Sequence, residues 1–465
     1  MRGALAALAA LAALTVLRLF LAAWLPLTPD ESYYALWATH LQTGYYDHPP
    51  MVALWIKAGT LLCGPGPLGV RLLGPLSAAL GSVLLWDAGE RLIPGRRVGL
   101  SAALLLNATL MVGAGAIIMT PDTPLLFFWI AGLAALARLL QSQNPRWWLA
   151  VGLAAGCMLF SKYTAALFIA AVFFWLLAAR QGRAQLRTPW PWAAIVLAVA
   201  LFAPDIAWNA AHGWVSYLKQ GGRVMQFDPA RAAQFFGELV GSQFGLFTPG
   251  IFILAGVGLW RLRHETTPGA RLLLWLTLVP GAVFLEHVIS NRVESNWVAI
   301  LYPSACLAAA LLPMDMLARW RRPALALGFG MTGLVYLQAV AAPLPVPARL
   351  DTSALQLAGW PGLARAASAS HPAFIMADDY GTAAELARYV SPNVPVLGEG
   401  KRWRYFDWSK TGHKGELGLL ITRNGARACP DPLPDIIRAR GVEPVMRYHL
   451  CHIHLKKPMV RLPRP

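Results

Sequence analysis

The sequence predicts a polytopic α-helical membrane protein with about eleven transmembrane helices, followed by a small C-terminal α/β domain. Three observations carry that prediction. Of 465 residues, 57% are hydrophobic and only 14% charged, against about 25% charged in an ordinary soluble domain. The apolar residues fall in blocks of about 20, the length that crosses a bilayer as a helix. Beyond residue 342 these blocks stop and short apolar runs replace them.

The first block, 3–25, is rich in Ala and Leu and follows Arg2. It is too long for a signal peptide, contains Arg18 and has no clear small-x-small cleavage site, so it reads as the first span. Further spans are expected over 67–89, 98–118, 123–140, 147–161, 163–179, 190–208, 234–259, 272–289, 297–314 and 323–342. With the N-terminus in the cytoplasm, the inside loops hold Arg91, Arg96 and Arg97; Arg138 and Arg146; Arg180, Arg183 and Arg187; Arg261, Arg263 and Arg271; and Arg319, Arg321 and Arg322. That alternation is what the positive-inside bias predicts for a multi-pass protein of the cell inner membrane. The outside segments, 26–66, 119–122, 209–233 and 290–296, carry most of the acidic and aromatic motifs.

The chain therefore divides into a membrane domain, 1–342, and an extracytoplasmic α/β domain, 343–465, opened by a Pro-rich linker over 343–347. The runs 373–377 and 417–422 read as strands, and 381–390 as a helix. Cys157 and Cys306 lie in spans as packing residues. Cys63 has no obvious partner, whereas Cys429 and Cys451 are candidates for a disulfide in an oxidising compartment. His449, Cys451, His452 and His454 are close in sequence, but strand alternation divides them between two faces, so no metal site is expected there.

Basic residues outnumber acidic ones 40 to 23, a formal net charge of +17. Membrane lipid headgroups are the expected partner of that excess. Nucleic acid is not, because no basic stripe lies on a soluble segment. The sequence Gly64-Pro-Gly-Pro-Leu-Gly69 fits G-x-G-x-x-G only in letters: it follows no strand and precedes a span.

The chemistry concentrates outside. Asp30 and Glu31 follow the first span directly, where a carboxylate is costly unless paired or used. Asp30 also reads as the start of a helix over 31–42, a capping role compatible with catalysis. Asp122, in Thr120-Pro-Asp-Thr-Pro124, is a second carboxylate on that side, with N-capping of the next helix as the plain alternative. The external cations are few: His48, Lys57, Lys162, Lys219, Arg223 and Arg292. Cations retained against the inside bias point to a bound anion such as a phosphate, or to snorkelling at headgroups.

These motifs resemble the GT-C fold glycosyltransferases of the protein O-mannosyltransferase type. The resemblance rests on Asp30-Glu31 with Tyr33-Tyr34, Tyr45-Tyr-Asp-His-Pro-Pro50, Thr120-Pro-Asp-Thr-Pro-Leu125, Ser161-Lys-Tyr163, Pro204-Asp-Ile-Ala-Trp-Asn209 and Arg292-Val-Glu-Ser-Asn-Trp297. Asp379-Tyr-Gly-Thr-Ala-Ala-Glu385 and Arg402-Trp-Arg-Tyr-Phe-Asp-Trp408 are similar to the soluble tail of bacterial members related to the lipid A aminoarabinose transferase. The resemblance implies sugar transfer from a polyprenyl-phosphate donor to a lipid, glycan or protein acceptor on the outer face. Asp30 inherits the general-base role, with Glu31 beside it and Asp122 assisting. His48, Lys162 and Arg292 are carried over to the donor phosphate, with Tyr46, Tyr163, Lys219 and Glu294 as further substrate contacts. Many relatives have Lys before the Pro-Pro pair, where this chain has His48, only partly protonated near neutral pH.

The chemistry is coherent on its own terms. A lipid phosphate leaves readily, so a carboxylate that deprotonates the acceptor and a cation that neutralises the phosphate suffice. Single displacement inverts the anomeric centre. No cofactor is implied, and a divalent metal is not required. The alternatives are a polyprenyl-lipid flippase or transporter, which Arg18 and Asp205 near span ends would suit, and a polymerase or ligase of undecaprenyl-linked glycan. Against a secondary transporter, the sequence shows no internal repeat and its motifs crowd one face.

Overall fold

The breaks between apolar helices, more than the helices themselves, place this protein's functional side chains. The structure is a computed structural model describing residues 2–95, 98–221, 229–411, 415–423, 429, 431–455 and 458–465. Arg96, Arg97 and Arg223 lie outside the described residues. Among those described, six helices are long and apolar enough to cross a membrane: Gly3–Trp24, Pro67–Leu92, Asp122–Ser142, Pro189–Ala211, Pro268–Val288 and Met314–Ala341. A seventh span results if the pair Pro229–Leu246 and Pro249–Leu262, bent by 108°, is counted as one. The protein is a multi-pass membrane protein.

The expected count of eleven is not reached by length and apolarity, for local reasons. The expected span 98–118 breaks at Thr109, whose hydroxyl accepts from Val112 N at 3.2 Å and donates to Leu106 O at 2.7 Å. The segment 297–314 starts as a 3-10 helix, Ser295–Leu301, before Tyr302–Ala310. The expected span 234–259 turns at Thr248, a β-branched residue at φ 68°, a backbone region that such residues rarely adopt. Thr248 is held there by donating to Ala108 O at 3.3 Å and accepting from Leu110 N at 3.1 Å. Four shorter apolar helices, Met51–Cys63, Val98–Ala108, Trp147–Leu159 and Tyr163–Ala178, complete the apolar set.

Contacts group the chain into two compact units. The first comprises Met1–Arg18, His48–Val52 and Leu73–Leu334. Its core is built around Trp129, Phe168 and Leu133, all essentially inaccessible. The helices Trp147–Leu159 and Pro189–Ala211 approach so closely that a Cβ on Gly152 would lie 2.5 Å from Ala194 O. Small residues permit such approach between spans, where packing rather than hydrophobic exclusion drives association. Arg18 is fully buried, its guanidinium donating to Asn107 Oδ1 at 2.9 Å and Val112 O at 3.4 Å.

The second unit comprises Leu19–Asp47, Ala53–Leu72 and Val335–Pro465. It holds a small sheet region at the C-terminus together with most of the first loop, His48–Val52 excepted. Its sheet has seven strands: β1 (Ile375–Ala377), β2 (Val396–Gly398), β3 (Lys410–Thr411), β4 (Leu417–Thr422), β5 (Pro432–Arg440), β6 (Glu443–His454) and β7 (Met459–Arg461), in the order β3-β7-β2-β1-β4-β6-β5. β1 pairs in parallel with β2 and β4, and the other pairings are antiparallel. The crossover from β1 to β2 is the helix Tyr380–Tyr389, capped by Asp379, which accepts from Thr382 N at 2.8 Å. Cys429 and Cys451 are joined in a disulfide with Cα atoms 5.7 Å apart. His449 pairs with Asp435 at 2.9 Å and His452 with Asp431 at 2.7 Å. No group of three metal-ligating side chains occurs among the described residues.

Candidate active site

Two polar clusters hold the carboxylates that the sequence singles out, one in each unit. In the second unit, Thr28 starts the helix Pro29–Thr39. Its hydroxyl accepts from Glu31 N at 3.3 Å, and Thr28 N donates to Glu31 Oε2 at 2.9 Å. This is a capping box, with Pro29 at a position where its missing N–H costs nothing. Capping thus falls to Thr28 and Glu31, and Asp30 is left for other work.

Glu31 is wholly buried and clasped by Arg71. Arg71 Nε donates to Glu31 Oε1 at 2.7 Å and Nη2 to Oε2 at 2.6 Å. The remaining guanidinium donors reach Leu25 O at 2.7 Å, Pro26 O at 2.7 Å and Ala22 O at 3.3 Å. Arg71 therefore ties the end of the first helix to the start of the second. The expectation that Glu31 acts catalytically meets a side chain with both oxygens committed to the fold.

Asp30 is half-buried, and Tyr380 Oη donates to its Oδ1 at 2.6 Å. Among the described residues its Oδ2 accepts no hydrogen bond. The Arg402 guanidinium lies 3.8 Å above the Tyr380 ring, a cation–π contact. Arg402 Nε also pairs with Asp47 Oδ2 at 3.0 Å, and Asp47 accepts from Tyr33 Oη at 2.7 Å. Tyr33 packs edge-on against both Tyr380 and Trp403, and Tyr46 stacks on Tyr405 at 5.6 Å. Burial pushes the Asp30 carboxyl above the ordinary carboxylate range, while the Tyr380 hydrogen bond and the Arg402 charge pull it back. The outcome suits a proton acceptor: more basic than a free carboxylate, with one oxygen fixed.

The first unit holds the other cluster. Asp122 occupies the first turn of Asp122–Ser142, and its carboxylate caps nothing. It accepts instead from Lys162 Nζ at 2.7 Å through Oδ1 and from Asn296 Nδ2 at 2.6 Å through Oδ2. Lys162 sits in extended backbone at the break after Trp147–Leu159, and its ammonium lies 5.7 Å from the Trp297 ring centroid. Both charges are nearly inaccessible. Next to Lys162, Tyr163 Oη reaches Asp205 Oδ2 at 3.4 Å, which also accepts from Tyr217 Oη at 3.1 Å and Asn209 Nδ2 at 3.2 Å.

Arg292 belongs to neither cluster. It is exposed and forms a two-point pair with Glu238, at 2.6 and 3.0 Å. The expectation that it holds a donor phosphate meets an exposed ion pair with Glu238, apart from the Asp122–Lys162–Asn296 contacts. Glu294 is exposed at the cap of Ser295–Leu301, the turn that delivers Asn296. Lys219 is half-buried in the last turn of Val215–Gly221, and His48 is half-buried beside Asp47 in sequence.

Sequence reasoning missed four residues: Arg71, Asn296, Tyr380 and Arg402. Asn296, Tyr380 and Arg402 stand inside the motifs that carry the resemblance, so the signal was present without a role attached. Arg71 had none; it reads as one more Arg near a span end.

A family profile described as dolichyl-phosphate-mannose-protein mannosyltransferase matches residues 47–208. The crystal structure of ArnT from Cupriavidus metallidurans in the apo state superposes with a TM-score of 0.63 at 15% identity, covering 97% of this chain and 98% of that one. ArnT bound to undecaprenyl phosphate gives 0.64 at 15% identity, over 95% and 97% of the two chains. This chain has the GT-C glycosyltransferase fold. Among curated proteins it is similar to the lipid A galacturonosyltransferase RgtD of Rhizobium johnstonii, 26% identical over 293 residues. That match covers 61% of this chain and 60% of RgtD, so the chain spans less than two thirds of that relative's length.

Proposed function

We propose that this protein is a glycosyltransferase that moves a sugar from a polyprenyl-phosphate donor to lipid A or a related glycolipid, on the extracytoplasmic face of the inner membrane. The carrying observation is Asp30, raised in basicity by burial, with Oδ1 held by Tyr380 and Arg402 beside it. The GT-C fold, the similarity to RgtD and the carboxylate–cation pairing support the reading. The Arg-rich loops support this orientation, with the N-terminus inside and about eleven crossings, Met51–Cys63 staying outside and the segment 297–314 counting as one.

In this scheme Asp30 Oδ2 takes the proton of the acceptor hydroxyl as its oxygen attacks the anomeric carbon. The sugar–phosphate bond breaks with inversion, and the polyprenyl phosphate leaves with the bonding electron pair. Arg402 supplies positive charge at the leaving phosphate, a role that the family's Lys before Pro-Pro would otherwise share and that His48 fills only when protonated. Within the first unit, Asp122, itself held by Asn296, pairs with the ammonium of Lys162, next to Tyr163; Lys162 and Tyr163 are residues that the family resemblance assigns to the donor. The scheme needs no metal.

The test is transfer in proteoliposomes from a panel of polyprenyl-phosphate sugars to purified lipid A. Asp30→Asn is expected to lower turnover by about 10²–10⁴-fold, the worth of a positioned base. Full transfer by both Asp30→Asn and Asp122→Asn would overturn the assignment. Cysteine labelling over 350–411 only from the cytoplasmic side would overturn the orientation.

A further inference from the structure

Glu385 takes no part in the scheme above, yet it is one of the most deeply placed acids in the second unit, only 1% exposed. It lies on Tyr380–Tyr389, the helix whose first residue holds Asp30. Its Oε1 accepts from Ser32 Oγ at 2.9 Å, and its Oε2 is buried with no hydrogen-bond partner among the described residues. Ser32 stands two residues after Asp30. The two helices thus meet at Asp30–Tyr380 and again at Ser32–Glu385. Between these points a Cβ on Gly381 would lie 2.7 Å from Pro29 Cβ, so glycine is what permits the approach.

The charges that face Glu385 come from several elements. Glu31 lies on Pro29–Thr39, Arg388 and Tyr389 on its own helix, and Arg438 on β5, while Arg71 is committed to Glu31. Arg388 Nη1 and Arg438 Nε are themselves buried without a partner among the described residues, and neither bonds Glu385. A buried carboxylate with an unsatisfied oxygen is far costlier than the neutral acid. Burial raises the Glu385 carboxyl to about 8, opposed by the Ser32 hydrogen bond and by Arg388 and Arg438, and reinforced by Glu31.

We propose that Glu385, as a neutral acid, is a positioning residue: it fixes Tyr380–Tyr389 against Pro29–Thr39 and so sets the Tyr380–Asp30 hydrogen bond, and its ionisation uncouples that contact and lowers turnover. The proposal rests on the reading of Asp30 as base. It predicts an alkaline limb in kcat that belongs to Glu385. The sign follows from the raised value: the working, neutral form prevails below about pH 8 and is lost above it.

The experiment measures kcat and donor KM from pH 6 to 10 for the full-length protein in proteoliposomes, comparing wild type with Glu385→Gln, Glu385→Ala and Asp30→Asn. Gln keeps an acceptor for Ser32 and cannot ionise. Expected are a wild-type kcat that falls about tenfold per pH unit above the limb, a Glu385→Gln profile flat over that range, and a Glu385→Ala kcat reduced at every pH with donor KM unchanged. Thermal unfolding of each variant establishes that Gln folds. An alkaline limb unchanged in a folded Glu385→Gln, or full kcat in Glu385→Ala, overturns the inference. If Asp30→Asn also transfers fully, the base assignment itself fails; if Asp30→Asn is inactive, only the role of Glu385 is lost.

Discussion

Arg71→Ala strikes a buried ion pair at the heart of the second unit. Arg71 and Glu31 are 2% and 0% exposed, with N–O distances of 2.6 and 2.7 Å. Removing the guanidinium leaves Glu31 charged or forced to take a proton, and strips the Leu25 and Pro26 carbonyls of donors at 2.7 Å. Breaking a buried pair from one side costs about 3–5 kcal/mol, more than about 100-fold in the folding equilibrium. The capping box fails with it, because Glu31 Oε2 serves both Arg71 and Thr28 N. Since Asp30 immediately precedes Glu31, transfer activity falls together with stability. Denaturant unfolding in a fixed detergent provides the measurement, and a double variant provides the control. Glu31→Gln with Arg71→Met removes both charges, and is expected to be less destabilised than Arg71→Ala alone by about 1–3 kcal/mol. Arg71→Lys recovers little, because an ammonium cannot span two carboxylate oxygens and three carbonyls. An Arg71→Ala protein within about 0.5 kcal/mol of wild type, the range of an ordinary surface change, would refute the clasp.

Further outcomes follow from the same contacts. Tyr380→Phe removes a hydrogen bond that lowers the Asp30 carboxyl, so the acid limb of kcat/KM moves to higher pH; a limb that moves down or stays put contradicts the contact. Arg402→Ala moves that limb in the same direction and raises donor KM, read from initial rates across donor concentration. Lys162→Met strands Asp122 with Asn296 alone, and is expected to destabilise by about 3–5 kcal/mol, whereas Arg292→Ala costs no more than about 1 kcal/mol as an exposed pair. Replacing Cys429 and Cys451 together by Ser opens a loop of sequence separation 22, and lowers the stability of the second unit by about 2–4 kcal/mol. Unfolding curves with and without reductant check it.

What was legible in the sequence divides along a physical line. Hydropathy reports burial averaged over a helix length, so the membrane character, the C-terminal sheet and the long spans were readable. A break confined to one or two residues leaves that average intact. Thr109 and Thr248 interrupt apolar segments through a side-chain hydrogen bond and a rare backbone angle; a 20-residue window passes over both. The site shows the same division. Asp30, Asp122 and Lys162 were conspicuous because an ionisable group beside a span is costly, and cost is visible locally. Their partners are set by contacts between residues far apart in the chain: Tyr380 lies 350 residues from Asp30 and Asn296 174 from Asp122. The placing of Glu31 in the catalytic set and of Arg292 at the donor phosphate shows the converse limit. Adjacency made Glu31 look like the partner of Asp30, but consecutive helical residues point about 100° apart; one carboxylate turns toward Arg71 and the other toward Tyr380. Arg292 stood in a telling motif, yet the member of that motif that reaches the buried carboxylate is Asn296, four residues on. A charged side chain in an external loop announces a cost to be met, and the fold alone determines which neighbour meets it.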